Sequence, residues 1–279
     1  MSRVITAAKI REEVAELCVS ANLILRKDIF SALKRAYIKE SNRRARRILC
    51  AIINNAQLAR EESLAICQDT GLVSVFVQLG EGLRIAGGLK EAINKGVESG
   101  YRRGYLRSSV IKDPLLRGIP SYQPAVIHID IVKGSSMVIT VMPKGFGCEN
   151  KTQLKMFNPT STIEEIKSFV VAAVKEAGPD ACPPYIIGVG LGGTADYSLL
   201  LAKKALIRDI NKPNTKQHIA TLEKELLKEI NRLNIGPMGL GGKTTALAVN
   251  IQSYPTHISG LPVAVNISCH ALRSATAKL

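Results

Sequence analysis

The residues of this sequence that are best suited to chemistry are cysteines in turns that glycines or prolines fix. The chain has 6 Cys. Cys67 opens the segment Cys-Gln-Asp-Thr-Gly before a predicted strand, Cys182 precedes two prolines, and Cys269 closes another strand. Glycines and prolines fix the backbone direction, which a preorganised ligand requires. A core of this size needs no disulfides, so these thiols are candidate ligands of a metal or cluster, with unrelated loop thiols as the alternative.

The remaining cysteines have different settings. Cys18 and Cys50 lie inside helical patterns among apolar neighbours, which is typical of inert buried thiols. Cys148 lies in a glycine-rich loop over residues 143–150. The sequence has no C-x-x-C spacing, so the spacing alone does not decide whether these cysteines bind a cluster.

Two glycine patterns offer other chemistry. Gly188–Gly193 fits G-x-G-x-x-G with Asp209 downstream, which would suit a dinucleotide, but no clean second strand ends at Asp209. Gly241-Gly-Lys-Thr244 resembles the end of a Walker A loop, but Pro237 stands where its first glycine belongs. Both segments remain candidate anion-binding turns, because glycines let backbone N–H groups converge.

The elements that must position these residues change along the chain. Apolar residues recur at helical spacing over residues 1–65, and a β-rich run follows at 72–79, then a helix at 89–100. Strands are predicted at 125–132 and 137–142, and the Lys-Gly-Ser-Ser segment between them favours a hairpin.

The second half alternates helices with strands. Thr162 and Gly178 mark the ends of a helix at 163–177. Further predicted elements are a strand at 185–189 leading into a glycine loop, helices through 206 and at 218–233, and strands at 246–251 and 261–267. We therefore expect an α/β fold: a helical N-terminal part (1–65), then an α/β part (66–279) with mixed sheets, flanking helices and the cluster ligands on loops. No repeat or linker interrupts the chain, so a single domain over residues 1–279 is predicted.

Composition excludes some classes of protein. With 46% hydrophobic and 22% charged residues, the chain is neither disordered nor a coiled coil. No apolar run approaches the roughly 20 residues of a membrane span, and the N-terminus lacks a signal-type core, so we expect a cytoplasmic protein without membrane contact. The formal net charge of +15 suits nucleic acid, an anionic surface or a small polyanion. Aromatics at 4% argue against base-stacking platforms.

Five ordered motifs resemble one known family. From about residue 60 onward, the chain is similar to the α subunit, or N-terminal domain, of class I iron-sulfur fumarases and L-tartrate dehydratases. The resemblance is carried by Cys67-Gln-Asp-Thr-Gly, Pro143-Lys-Gly-x-Gly-x-Glu-Asn150, Gly188-Val-Gly-Leu-Gly-Gly-Thr194, Asn234-Ile-Gly-Pro-Met-Gly-Leu-Gly-Gly242 and Tyr254-Pro-Thr-His-Ile-Ser-Gly-Leu-Pro-Val263.

The resemblance implies a cofactor and a set of site residues. Cys67, Cys182 and Cys269 match the ligands of a 4Fe-4S cluster, in which three thiolates leave one iron open as a Lewis acid. The resemblance implies catalytic roles for Gln68 and Asp69. The implied substrate-binding residues are Gln68, Asp69, Arg107, Lys144, Gly145, Gly147 and His257. Without the resemblance, Asp69 would be a turn residue, Arg107 a surface arginine and His257 structural. His270, beside a ligand position, could hydrogen-bond near the cluster.

The resemblance also implies an activity and a partner. The expected reaction is the reversible hydration of fumarate to L-malate, a step of the tricarboxylic acid cycle; L-tartrate or mesaconate is the alternative dicarboxylate. Family members complete the site with a β subunit, so an α2β2 assembly without nucleic acid is expected. This chain has Cys148 where the family usually has Ser, and we interpret it as a spectator. A basic nucleic-acid-binding module remains the alternative from another class.

Overall fold

The computed structural model describes residues 3–279, so Met1 and Ser2 of the N-terminal segment lie outside it. The elements in chain order are β1 (Arg3–Thr6), α1 (Ala7–Leu23), α2 (Lys27–Lys39), α3 (Arg43–Glu61), β2 (Leu72–Gly80), β3 (Leu83–Ala86), α4 (Leu89–Arg103), β4 (Val126–Val132), β5 (Met137–Lys144), α5 (Phe146–Glu149), β6 (Gln153–Phe157), α6 (Ile163–Ala177), β7 (Tyr185–Gly193), α7 (Ala195–Ala205), α8 (Gln217–Arg232), a 3-10 turn (Pro237–Gly239), β8 (Ala246–Thr256), β9 (Leu261–Ser268) and β10 (Ala275–Lys278). The predicted α/β class with mixed sheets is confirmed.

Two compact units interleave along the chain. Unit 1 comprises residues 1–26, 56–146 and 273–279, and unit 2 comprises residues 27–55 and 147–272. Since each unit is assembled from separated segments, the sequence shows no composition boundary between them. The single domain expected over residues 1–279 stays a prediction.

Unit 1 is a sheet covered by helices. Its strands run in the order β10-β5-β2-β4, and a separate parallel pair joins β1 to β3. Helix α1 packs against α4 and β5. Small residues permit this close packing, since a Cβ on Gly100 would lie 2.5 Å from the Ala15 carbonyl oxygen. The apolar side chains of α1, α4, β2 and β5 form the core.

The predicted hairpin between β4 and β5 is wrong. Strand β2 lies between them: it pairs in parallel with β4, with Ser74 opposite Val126, and antiparallel with β5, with Leu79 opposite Met137. The turn residues do reverse the chain, but β2 buries apolar side chains on both of its faces and takes the central position. Local turn chemistry therefore did not decide which strands pair.

Unit 2 has a second mixed sheet, in the order β6-β9-β7-β8. The central strand β7 is almost wholly buried, and α7 packs on it while α8 packs on β8. Helix α6 begins with a capping box, in which Thr162 accepts from the Glu165 backbone N–H and the Glu165 carboxylate accepts from that of Thr162. Strand β7 continues through Gly193, so the predicted glycine loop after Val189 is part of the strand.

Membrane insertion of a helix was also assessed. Within residues 3–279, no helix combines the length and the apolar character that crossing a bilayer demands.

Candidate active site

The Cys67–Gly71 segment forms a tight turn in unit 1, immediately before β2. Asp69 closes this turn, because its Oδ1 accepts from the Gly71 backbone N–H at 2.9 Å. Just before the turn, the Ile66 N–H donates to the Asn22 carbonyl at the end of α1. Cys67 is half-buried and not in a disulfide, and the Gln68 side chain is exposed. The turn thus presents a thiol, an amide and a carboxylate on consecutive residues.

The same carboxylate joins the turn to a second motif. Asp69 Oδ2 accepts from the Phe146 backbone N–H at 2.9 Å, directly after Lys144 and Gly145. A Cβ on Gly145 would lie 2.8 Å from Asp69 Oδ2, so the approach requires glycine there. Lys144 is buried at the end of β5. The structure therefore brings together Asp69, Lys144 and Gly145, which the sequence had connected only by resemblance.

Arg107 is anchored to the turn through its backbone. Thr70 Oγ1 donates to the Arg107 carbonyl at 2.9 Å, and the Tyr101 hydroxyl donates to the Thr70 carbonyl at 2.6 Å. Burial raises the pKa of Tyr101, which keeps the phenol protonated as a donor. The Arg107 side chain itself is exposed. Its guanidinium is therefore available to an anionic ligand, which a planar fork of donors suits.

Arg273 is a residue of this region that sequence reasoning missed. Its Nη2 donates to the Asp69 carbonyl at 2.7 Å, and its Nη1 donates to Asn22 Oδ1 at 3.1 Å. The residue is only 3% exposed. Within the described chain, its buried Nε has no hydrogen-bond partner. No motif marks Arg273 in the sequence, apart from its position shortly after Cys269.

Cys182 and Cys269 lie on neighbouring loops of unit 2. The Cys182 carbonyl accepts from the His270 backbone N–H at 3.3 Å and lies 3.0 Å from His270 Nδ1. Because a carbonyl only accepts, Nδ1 must carry the proton, and the contact ties the residue after Cys269 to Cys182. Both thiols are half-buried and outside disulfides. His270, expected to hydrogen-bond near the cluster, is thus seen holding the two cysteine loops together.

The backbone at Cys182 is unusual and is supported by a neighbouring motif. Cys182 has φ +56°, a conformation that costs a non-glycine residue free energy. The Met238 N–H donates to the Pro183 carbonyl at 2.8 Å. A Cβ on Gly239 would lie 2.3 Å from Pro179 Cβ, so glycine is required. The segment 234–242 therefore packs against the Cys182 loop and stabilises its backbone.

Cys148 is buried beside the same loop. Its Sγ donates to the Ala181 carbonyl at 3.5 Å, one residue before Cys182, and its side chain belongs to the apolar core of unit 2. Next to it, Glu149 accepts from Lys203 Nζ at 2.5 Å and from Asn266 Nδ2 at 3.3 Å. These contacts attach the chain after Gly147 to α7 and β9. The spectator role of Cys148 stays a prediction.

His257 lies apart from these loops on the turn between β8 and β9. Its Nδ1 accepts from the Ser259 backbone N–H at 3.2 Å and lies 2.7 Å from the Ser259 hydroxyl. The residue is exposed. In the structure it orders its own turn, and its role toward a substrate stays a prediction.

Neither glycine pattern forms a phosphate-binding loop. Gly188 and Gly190 lie inside β7, where a Cβ would approach the Ala202 and Ser198 carbonyl oxygens of α7 to 2.1 and 2.0 Å. The Asp209 carboxylate accepts from the Asn211 N–H in a local turn. These glycines therefore serve the packing of α7 on the sheet.

The backbone of the Walker-like segment, residues 241–244, binds the side chain of a glutamate of the same chain. Glu40 Oε2 accepts from the Lys243 backbone N–H at 2.8 Å, and Glu40 is only 3% exposed. A strand, β8, follows this loop where a P-loop has a helix. Gly242 makes the approach possible, because a Cβ there would lie 2.9 Å from Glu40 Oε2.

The cysteine chemistry fits an iron-sulfur cluster. Thiolates are the standard ligands of such clusters. Cys67, Cys182 and Cys269 lie on loops, and none of them is in a disulfide. In the part of the chain that the structure describes, no group of three or more His, Cys, Asp or Glu side chains is arranged to hold a single metal ion.

Comparisons with known proteins identify the family of this chain. The family model described as "Fumarate hydratase (Fumerase)" matches residues 11–278. A Methanocaldococcus jannaschii protein with the provisional name L(+)-tartrate dehydratase subunit alpha is 41% identical over 279 residues, covering 97% of this chain and 98% of that protein.

More distant relatives carry the same name. The L(+)-tartrate dehydratase subunits alpha of Escherichia coli strains UTI89 and K12 are each 29% identical, over 275 and 272 residues. These alignments cover 97% and 96% of this chain, and 91% and 90% of the relatives. With most of its length matched by the family model, the chain belongs to the fumarate hydratase family of hydro-lyases, as an α-type subunit.

Proposed function

We propose that this chain is the catalytic α subunit of a 4Fe-4S-dependent hydro-lyase that interconverts fumarate and L-malate. The observation that carries the proposal is the set of hydrogen bonds at the 67–71 turn, where Asp69 accepts from the Phe146 N–H and Thr70 donates to the Arg107 carbonyl. Three separate segments of the sequence thereby meet at one turn. Family membership supplies the reaction class.

Cys67, Cys182 and Cys269 are the proposed cluster ligands. When bound, a cluster held by three thiolates offers an open iron that can act as a Lewis acid toward a substrate hydroxyl or carboxylate. The chain itself would position these thiols. Asp69 and Asn22 fix the turn that bears Cys67, and His270 connects the loops that bear Cys182 and Cys269.

Gln68, Asp69 and Arg107 are proposed to act on the substrate. The Arg107 guanidinium would hold one substrate carboxylate in a bidentate contact. Hydration and dehydration move a proton at the carbon next to a carboxylate, which needs a positioned acid or base. Asp69 can serve because a carboxylate has lone pairs beyond those used by the Gly71 and Phe146 N–H groups.

The rest of the binding site is proposed to come from several further groups. Backbone N–H groups at Gly145 and Gly147, together with Lys144, would face the substrate, and His257 would contribute from its turn. Gln68 would orient the substrate with its exposed amide. Because the relatives are named as α subunits, we propose a β subunit that completes the site, an α2β2 assembly and a cytoplasmic location.

One anaerobic experiment tests the proposal. The chain, alone and with its β subunit, is reconstituted with iron and sulfide, followed by its visible absorbance, and assayed with fumarate, L-malate, L-tartrate and mesaconate. We expect cluster absorbance and fumarate hydration with the β subunit present, and no turnover by the single chain. Absence of any cluster would overturn the proposal, and full turnover by the single chain would remove the β requirement.

Serine variants of the cysteines identify the ligands. Cys67→Ser, Cys182→Ser and Cys269→Ser should each lower the bound iron and sulfide and abolish turnover. Cys50→Ser is the matched control, because Cys50 is also half-buried and outside any disulfide but lies in α3. Equal iron loss in all four variants would contradict this ligand assignment.

L(+)-tartrate is the second candidate substrate, favoured by the names of the relatives. Tartrate carries one hydroxyl more than malate, so its discrimination depends on polar partners for that group. A higher kcat/KM for L-tartrate dehydration than for fumarate hydration would select it.

A further inference from the structure

Arg273 carries a positive charge into the interior of unit 1. The residue lies just before β10 and is only 3% exposed. Its Nη2 donates to the Asp69 carbonyl at 2.7 Å and its Nη1 to Asn22 Oδ1 at 3.1 Å, and both acceptors are uncharged. Within residues 3–279 the guanidinium forms no ion pair, and its buried Nε has no hydrogen-bond partner. The charge of Arg273 therefore lacks a carboxylate of its own.

Such a charge is costly for a protein to keep. Removing a charged side chain from water is unfavourable unless an opposite charge lies nearby. A buried lysine or histidine can release its proton and become neutral, but a guanidinium stays protonated at any pH at which proteins are folded. Arg273 cannot lose its charge in this way, so we expect an anion near it in the working protein.

The carboxylate of Asp69 does not fill this role alone. Its two oxygens already accept from the Gly71 and Phe146 backbone N–H groups. A second buried cation, Lys144, belongs to the same region, because a Cβ on Gly71 would lie 2.6 Å from the Lys144 carbonyl oxygen. Two buried cations thus accompany one carboxylate, and the surroundings of the 67–71 turn are positive overall.

The turn itself indicates which anion is expected. It bears Cys67, a proposed cluster ligand, and three thiolates make such a centre anionic overall. A bound cluster stays in the protein, whereas a substrate leaves after each turnover and cannot reach a side chain as buried as Arg273. Charges also interact through the poorly polarisable interior over distances longer than a hydrogen bond. The cluster is therefore the anion that best suits a permanently buried cation.

We propose that Arg273 is the charge-compensating residue of the cluster site. Its guanidinium offsets the negative charge of the thiolate-bound cluster and holds the Asp69 carbonyl in the turn that bears Cys67, without ligating iron and without touching the substrate. Arg273 is thus a positioning residue. The inference rests on the proposed function, because it requires a cluster at Cys67.

Two variants separate the charge of Arg273 from its hydrogen bonds. Arg273→Gln keeps a donor for the Asp69 carbonyl but is neutral, and Arg273→Lys keeps both a donor and the charge. Each chain is reconstituted anaerobically with iron and sulfide and titrated electrochemically at pH 7. We expect a lower reduction potential in Arg273→Gln and a nearly unchanged one in Arg273→Lys, because a nearby cation favours the more negative, reduced cluster.

The stability of the bound cluster provides a second measurement that needs no enzyme assay. Loss of iron to a chelator should be about tenfold faster in Arg273→Gln than in the wild-type chain. Cluster binding should also raise the melting temperature less in this variant, since a ligand stabilises a fold in proportion to its affinity.

Tyr101→Phe is the matched control for a change in the turn that leaves its charge unaltered. It removes the hydrogen bond from the Tyr101 hydroxyl to the Thr70 carbonyl, which is 2.6 Å long. We expect Tyr101→Phe to lower the melting temperature of the cluster-free chain but to leave the reduction potential unchanged. A loss of hydrogen bonding alone would not move the potential, so this control distinguishes weakened packing from lost charge.

The results that overturn the inference are specific. If Arg273→Gln leaves the potential and the rate of iron loss unchanged, or if Arg273→Gln and Arg273→Lys lower them equally, the charge of Arg273 has no part in the cluster site. Either result leaves the proposed function intact, because the wild-type chain still binds its cluster. A wild-type chain that binds no cluster overturns the proposed function and this inference together.

Discussion

The cysteine turn of unit 1 and the cysteine loops of unit 2 are held in place by different means. Around Cys67, polar side chains hold the turn: Asp69 within it accepts from the Phe146 N–H, and Tyr101 and Arg273 donate to its carbonyls from distant parts of the unit. Around Cys182, the main supports are backbone contacts, a glycine that admits no Cβ, and one histidine. The turn of Cys67 should therefore be sensitive to substitution of its polar side chains. The loops of Cys182 and Cys269 should be sensitive to substitution of the glycine that packs against them.

The largest expected effect is on the reaction, from Asp69→Asn. Asparagine keeps one oxygen acceptor for the turn but removes the carboxylate, so we expect kcat to fall by about 10²- to 10⁴-fold. The free energy of unfolding should change by only about 1 kcal/mol. Asp113→Asn is the control, because Asp113 also accepts backbone N–H groups, from Leu115 and Leu116, in an exposed turn. Equal activity losses in both variants would remove the distinction.

The next effect is on the glycine-supported loops of unit 2. Gly239→Ala would place Cβ 2.3 Å from Pro179 Cβ at φ +73°, and we expect a loss of about 2–4 kcal/mol of stability, together with lower cluster occupancy. Gly241→Ala is matched, because Gly241 has φ +78° and no heavy atom within 4 Å. It should cost only about 1–2 kcal/mol. Chemical unfolding and iron content compare them, and equal costs would show that the clash is unimportant.

A smaller effect is expected from the buried arginine of unit 1. Arg273→Lys cannot reach both the Asp69 carbonyl and Asn22, so we expect a loss of about 1–3 kcal/mol and a reduced kcat with cluster absorbance retained. Arg103→Lys, in an exposed ion pair with Glu12, should change stability by less than about 1 kcal/mol. If Arg273→Lys lowers stability without changing kcat, its role is structural alone.

The smallest effect is expected from Cys148→Ser. A serine hydroxyl can replace the thiol as donor to the Ala181 carbonyl, so stability should change by less than about 1.5 kcal/mol and turnover should persist. Activity assays and melting curves measure both. A collapse of turnover would show that the thiol takes part in the reaction.

Much of the fold could be read from the sequence, and part of it could not. The helix at 163–177 was predicted with its correct ends, because capping residues act locally. The hairpin of β4 and β5 was predicted wrongly, because strand pairing is decided over the whole sheet and β2 lies between these two strands. Gly188 and Gly190 match a dinucleotide-binding pattern that the sequence context already disfavoured, and in the structure they permit the close approach of α7.

The candidate site divides in the same way. The sequence alone determined which cysteines stand in fixed turns and which motifs accompany them, since residue type and local backbone rules are written in adjacent positions. Only the tertiary structure revealed that Arg273 holds the Asp69 turn, that His270 joins two cysteine loops, and that Glu40 fills the Walker-like segment. These contacts link residues far apart in the chain, and they exist because folding removes the groups from water and leaves each to find a partner within the protein.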